Sequence, residues 1–201
     1  MAKIFSPKKS CDYVFSTTNT STITSVNPRL VAWSRPTEGT TCLNVDGSLL
    51  GTTNTAGYGG LLRNNNNNNG DFILGFYGVA TVQSILFAEL MTVLHGLQIC
   101  WENGFRRIIY FSDSLQAVNL FWEEVSAHHQ FANEIFSFRQ LVNKDWDVVV
   151  EHTLREGNTC TDVLAKMCAL SDSPLVKITS PPSELSTPLL TDAQGVVFIR
   201  E

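Results

Sequence analysis

Leu43 and Val45 alternate with polar neighbours, the period-two pattern of a half-buried strand, so TTCLNVDGS (40–48) reads as a first strand. GYGGLLRN (57–64) and the long apolar DFILGFYGVATV (71–82) read as a second and third. The Asn run 64–69 with Gly70 forms a polar link between those two. Three strands joined by short links predict an antiparallel meander. The period then lengthens. In SILFAELMTVLHGLQICWENG, positions 86, 90, 93, 94, 97 and 101 fall on one apolar stripe, and Gly104 supplies the stop. RRIIYFSDS (106–114) is a short apolar run bounded by charge, the look of a buried parallel strand. Residues 114–125 and 131–142 read as helices, DWDVVVEH (145–152) as a fifth strand, and TDVLAKMCAL (161–170) as a last helix.

The order β-β-β-α-β-α-α-β-α predicts an α/β fold. Its sheet is mixed and five-stranded, an antiparallel meander followed by two parallel strands, with helices on the faces. A chain of 201 residues holds one sizeable domain plus tails. Residues 1–38 are rich in Ser and Thr and poor in acids, a flexible leader whose composition also suits an organelle transit peptide. The domain is assigned to 39–170. Residues 171–201 carry four of the seven prolines and form a C-terminal extension able to add a short helix or strand.

Charge and cysteine content narrow the function. A net charge of −5 and a pI near 5.3 argue against a surface that grips phosphates by Lys and Arg alone. They leave open a nucleic acid reached through metal ions, which bring their own positive charge. Five cysteines, an odd number without a CxxC, disfavour a disulfide framework or structural zinc. A reducing compartment is expected, the nucleus or cytoplasm first and an organelle second. Asn19-Thr20-Ser21 is a formal glycosylation sequon with no apolar signal segment before it, so it is expected to be unused. No run approaches the roughly 18 apolar residues of a membrane span, and no membrane partner is expected. P-loop, dinucleotide and Gly-x-Ser-x-Gly motifs are absent. Neither Asp46 nor Asp113 sits in the Asp-Thr/Ser-Gly setting of a pepsin-like protease.

Four acids stand out. Asp46 follows the first strand's alternation, although Asp46-Gly47 is also a turn signal. Glu89 lies beside the helical stripe, three residues from Leu86 and four from Val93. A charge there is normally paired or bound to metal. Asp113 ends the apolar run IIYF, where α/β folds place functional groups, but taken singly, with Ser112 before it as a possible cap, it reads first as helix capping. Asp162 opens the last helix, where the dipole favours an acid for structural reasons alone. If the four converge, repulsion calls for divalent cations with oxygen ligands. Two such ions about 3.5–4 Å apart are suited to phosphodiester cleavage.

NVDGS (44–48), AELMTVLHGL (88–97), FSDSLQAV (111–118) and HTLREGNTCTDVLAK (152–166), taken in order, resemble the ribonuclease H family. The likeness is strongest to plant RNase H-like domains of the retrotransposon reverse-transcriptase type, whose lead-in WxxPxxGxxxLNxDGS resembles WSRPTEGTTCLNVDGS (33–48). The resemblance covers roughly 40–170. It implies an RNase H-like fold with helices on both faces of the sheet. Asp46, Glu89, Asp113 and Asp162 would be catalytic ligands of two Mg²⁺ ions, or Mn²⁺. It implies hydrolysis of the RNA strand of RNA/DNA hybrids, one ion activating water and the other stabilising the leaving 3′ oxygen. Gly47, Ser48, Ser114, His152, Arg155 and Asn158 would contact substrate. Gly47 and Ser48 would admit the RNA backbone, with a plain strand-end bulge as the alternative.

Two departures qualify the resemblance. Cellular members usually carry two histidines before the last aspartate; His152 matches the first, and Arg155 occupies the second position. Arginine does not exchange protons near neutral pH, though it binds phosphate well. A strand-end role without chemistry is the other reading of His152. The basic, aromatic handle of some members is also missing: WEEVSAHHQFANEIFSFRQLVNKDW (122–146) is short and not basic. His128 and His129 read as loop residues, and Trp122 and Trp146 as core aromatics. A monomer is expected to bind substrate weakly without a partner domain or protein. The alternative function is therefore a catalytically weak or inactive nucleic-acid-binding module on the same fold.

Overall fold

The structure, a computed structural model, describes residues 29–51, 53–64 and 70–200. Residues 1–28 of the expected leader, the sequon at Asn19, Cys11 and most of the Asn run lie outside the described residues. The five expected strands are present as β2 (Thr41–Leu50), β3 (Thr55–Asn64), β4 (Asp71–Val79), β5 (Arg107–Ser112) and β6 (Asp147–His152). The helices are α1 (Ile85–Glu102), α2 (Leu115–Trp122), α3 (Ala132–Val142) and α4 (Thr159–Lys166). β2, β3 and β4 pair antiparallel, while β2–β5 and β5–β6 pair parallel, giving the mixed sheet the pattern predicts. Asn64 pairs with Asp71, so β3 and β4 form a hairpin.

Among the described residues the sheet has six strands rather than five, in the order β6-β5-β2-β3-β4-β7. β7 (Val176–Ile178) comes from the Pro-containing tail and covers the open edge of β4. Helix α5 (Ser186–Ala193) follows it. β8 (Phe198–Arg200) then pairs with β1 (Arg29–Val31) in a separate ribbon. Residues 29–38, assigned to the leader by composition, thus hold a strand and the buried Trp33.

Helix α1 shows why the apolar stripe was too narrow. Leu90, Val93 and Leu97 are buried as expected, but so are Ala88, Thr92 and Gly96, a row of small residues at i, i+4 spacing. A Cβ on Gly96 would sit 2.8 Å from Leu43 Cδ2, so the helix meets the sheet at backbone range. Thr92 Oγ1 donates to the Gly59 carbonyl at 2.7 Å. By length and composition alone α1 would suit a membrane span; ten of its residues are buried inside the fold instead. Ser84 caps its start by accepting from the Phe87 N–H. Gly104, at φ +80, ends it in the left-handed conformation that glycine adopts freely. Helix α2 stops at Trp122, earlier than its pattern suggests, because the Arg139 guanidinium takes the Phe121 and Glu123 carbonyls.

Helices α1, α2 and α3 cover one sheet face, burying Leu43, Val45, Tyr110, Phe121 and Phe138. Trp146 belongs to this core and Trp122 packs against it. The other face holds α4 and the tail, with Leu61, Tyr77, Leu164 and Leu185. Helix α4 lies close enough to β3 that a Cβ on Gly59 would come within 2.6 Å of the Leu164 backbone. Gly59→Ala should therefore overpack this contact and cost roughly 1–3 kcal/mol, read as a lower urea midpoint with an unchanged slope.

Candidate active site

Asp46 sits in mid-strand on β2, paired with Gly59 of β3 in an unbroken register through Leu50. It is neither a turn residue nor next to a bulge. The strand-end bulge alternative for Gly47 and Ser48 is thus overturned by continuous pairing. Glu89 projects from the first turns of α1, and Asp113 follows directly after β5. One carboxylate oxygen from each of Asp46, Glu89 and Asp113 lies within 4.8 Å of the others. Asp46 and Glu89 are buried, at 3% and 6% exposure.

Capping does not account for Asp113. The cap of α2 is Ser114, whose side chain accepts from the Ala117 N–H. Ser112 Oγ accepts from the Ser114 N–H, tightening the turn that carries Asp113. Ser114, expected at the substrate, is thus engaged as a helix cap. Asp162 does not join the close group. Its carboxylate is 2.6 Å from Lys166 Nζ, one helical turn on, though its charge still reaches Asp46.

Gly47 serves the acids rather than open space. A Cβ there would meet the Glu89 backbone nitrogen at 2.8 Å, and the Gly47 N–H bonds the Glu89 carboxylate. Ser48 is buried beside it. Asn158 is also internal, at 3% exposure. Its side-chain nitrogen donates to the Val45 carbonyl at 2.7 Å and to Asp113 Oδ1 at 3.5 Å, so it clamps α4 to β2 rather than facing solvent. Arg155 and His152 are the outward-facing members. Arg155 Nε lies 3.7 Å from Asp113 Oδ2 on a side chain 73% exposed. His152 ends β6 opposite Ser112 and is exposed. His128 is exposed, and His129 Nδ1 accepts from the Phe131 N–H.

The electrostatics follow from burial. Loss of water pushes the Asp46 carboxyl up to about 8, helped by the charges of Asp113 and Asp162 and opposed by Arg155. Glu89 is held well above the usual carboxylate range by burial first, then by Asp46 and Asp113, with the Gly47 N–H pulling the other way. Glu89 Oε2 is buried and has no hydrogen-bond partner among the described residues. Converging acids with an orphaned oxygen and one solvated arginine fit a hard divalent cation with oxygen ligands. Thiolate chemistry is disfavoured: burial pushes the Cys42 and Cys160 thiols up to about 12.

The residues that sequence reasoning missed are Asn44, Lys166 and Trp33. Lys166 was findable, since Asp162 and Lys166 are spaced i, i+4 on a helix. Trp33 and Asn44 carry no local signal of their joint role.

This geometry can be set beside known proteins. The family model described as reverse transcriptase-like matches residues 44–168. "Putative ribonuclease H protein At1g65750" of Arabidopsis thaliana is 30% identical over 138 residues, 68% of this chain and 22% of that protein. The chain therefore spans about a fifth of that relative's length. RNase H1 of the halophilic archaeon Halobacterium salinarum NRC-1 superposes with a TM-score of 0.56 at 20% identity, over 65% of this chain and 97% of that one. LC11-RNase H1, solved in complex with an RNA/DNA hybrid, gives 0.54 at 18% identity, over 65% and 99% of the two chains. At these identities the structural likeness establishes the fold. With the family match spanning all four acids, the chain belongs to the reverse transcriptase-like family and carries an RNase H-like domain.

Proposed function

We propose that the chain is a metal-dependent endoribonuclease that hydrolyses the RNA strand of RNA/DNA hybrids. The observation that carries this reading is the group Asp46, Glu89 and Asp113, the first two buried, with its orphaned Glu89 oxygen. The named relatives and the hybrid-bound neighbour supply the substrate class. Asp46, Glu89 and Asp113 would hold two Mg²⁺ or Mn²⁺ ions, with Asp162 at the margin. Bound there, the ions supply positive charge for the phosphate and a more acidic water. The chain's own residues do the rest. Gly47 holds Glu89 by its N–H, Asn158 orients Asp113, and Arg155 offers an exposed guanidinium to a phosphate oxygen beside Asp113.

A labelled hybrid incubated with Mg²⁺ should be cut in its RNA strand, and Asp113→Asn should lose roughly a hundredfold or more of that rate. Cleavage no faster than that of Asp113→Asn, with Mg²⁺ or with Mn²⁺, would sink the reading.

One observation favours the second reading, a catalytically weak binding module: Lys166 occupies the carboxylate of the fourth acid at 2.6 Å. Hybrid binding without metal-dependent cleavage, unchanged in Lys166→Ala, is its expected signature. Faster cleavage in Lys166→Ala would instead mark Lys166 as a brake on an active site.

A further inference from the structure

A file of hydrogen bonds, buried up to its last link, runs from the lead-in segment to the acid group. The Trp33 indole N–H donates to Asn44 Oδ1 at 3.1 Å, and Cys42 Sγ donates to the same oxygen at 3.2 Å. Asn44 Nδ2 donates to Asn158 Oδ1 at 3.2 Å. Asn158 Nδ2 then donates to the Val45 carbonyl and to Asp113 Oδ1. Trp33, Asn44 and Asn158 are all buried, Asn44 at 1% exposure.

The direction of this file is fixed at its start. An indole N–H can only donate, so Asn44 must present its oxygen to Trp33 and its nitrogen to Asn158. Asn158 must then present its oxygen to Asn44 and its nitrogen to Val45 and Asp113. Reversing either amide would set donor against donor or oxygen against oxygen in a dry interior. The last donor therefore meets Asp113 Oδ1, and Oδ2 is left on the side of Arg155.

We infer that Asn44 is a positioning residue: held by Trp33, it sets the Asn158 amide so that Asp113 turns a defined oxygen toward the acid group. This rests on the metal-dependent reading above. Partners that orient a ligating carboxylate typically change metal affinity or activity about 10–100-fold when removed.

The test uses the full chain, with Asn44→Ser, which replaces the amide with a shorter hydroxyl, and Trp33→Phe, which keeps a ring and removes the N–H. Phe138→Leu, a core truncation on α3, serves as a destabilised control outside the file. Three quantities are read: the Mn²⁺ or Mg²⁺ concentration giving half of the thermal shift, kcat against KM on a hybrid, and solvent exchange of the Asn158 side-chain amide by NMR in metal-free protein. In both variants the half-saturating metal concentration should rise about 10–100-fold. kcat at limiting metal should fall while KM changes less than about twofold, and the Asn158 amide protons should lose their protection. Protection lost in the variants of a protein that neither binds metal nor cuts hybrid upholds the positioning role and defeats the functional reading alone. Variants that match Phe138→Leu, with a lowered midpoint but unchanged metal half-saturation, overturn the inference. So do Asn158 amide protons that stay protected in both variants.

Discussion

Asp46→Asn should abolish hybrid cleavage and, at the same time, make the metal-free protein more stable at pH 8. The first effect follows from the proposed function, in which Asp46 is a central ligand. Metal stabilisation of transition-state charge is worth several kcal/mol, and each 1.36 kcal/mol is tenfold in rate, so a loss of roughly a thousandfold is expected. The second follows from the cost of ionising a buried carboxyl. The folded pKa of Asp46 is raised to about 8, against about 3.9 in an unfolded chain. Its contribution to stability is fully present below the unfolded value and is lost as pH rises through the folded one. Each unit of upward shift costs the ionised fold about 1.4 kcal/mol, so even half of this shift gives on the order of 2–3 kcal/mol at pH 8. An uncharged asparagine escapes that cost. Thermal unfolding at pH 5 and pH 8 should show the wild type losing stability between the two, and Asp46→Asn losing less. Added Mn²⁺ should restore the wild type at pH 8, do little at pH 5, and do little for the variant at either. A wild type whose midpoint rises from pH 5 to pH 8 without metal, while the variant's falls, would contradict the electrostatic account of the pocket.

The same residues show what a sequence exposes and what it conceals. Asp46 was legible because strand alternation placed it beside Leu43 and Val45. Asp113 was legible only in part: the end of the apolar run IIYF is where α/β folds place functional groups, but a helix cap explained the same charge. Glu89 stood out beside a core stripe. All three signals are local: a period, a run end, a misplaced charge. Gly47 was expected to admit the RNA backbone, but its partner, the Glu89 backbone at 2.8 Å from a hypothetical Cβ, is forty-two positions away and invisible to pattern. Asn158 was carried over as a substrate contact because it sits in a loop motif. Its buried side-chain oxygen accepts from Asn44, 114 positions earlier. The tail was concealed for a related reason. β7 is three residues long, too short for a period, and exists because β4 offers an unpaired edge. The small-residue row on α1 carried no hydrophobic signal, yet it sets how near the helix comes to the sheet.

Arg63→Met should cost about 3–5 kcal/mol, a large share of the roughly 5–15 kcal/mol that holds a typical domain together. Arg63 lies on β3 at 2% exposure, with Nη1 2.7 Å from Asp192 Oδ2 at the end of α5. Its guanidinium also lies 4.5 Å from the Trp33 ring centroid, and Cys160 Sγ donates to the same Asp192 oxygen. Removing the arginine leaves a buried carboxylate without its cationic partner, with the weak Cys160 thiol donor still on it. Replacing both partners removes the stranded charge, so Arg63→Met with Asp192→Leu should recover most of the loss. Urea unfolding of the two single variants and the double reads the difference directly. A double variant as unstable as the sum of the singles would mean that packing, not charge, governs the site. The consequences reach beyond the pair. Asp192 is in the tail and Trp33 in the lead-in, so Arg63 ties both flanks of the domain to β3, and Trp33 continues through Asn44 and Asn158 to Asp113. Loss of Arg63 should therefore loosen residues 171–200 to limited proteolysis and also raise the metal concentration the acid group needs. Tail cleavage without any change in metal affinity would confine the arginine's role to anchoring.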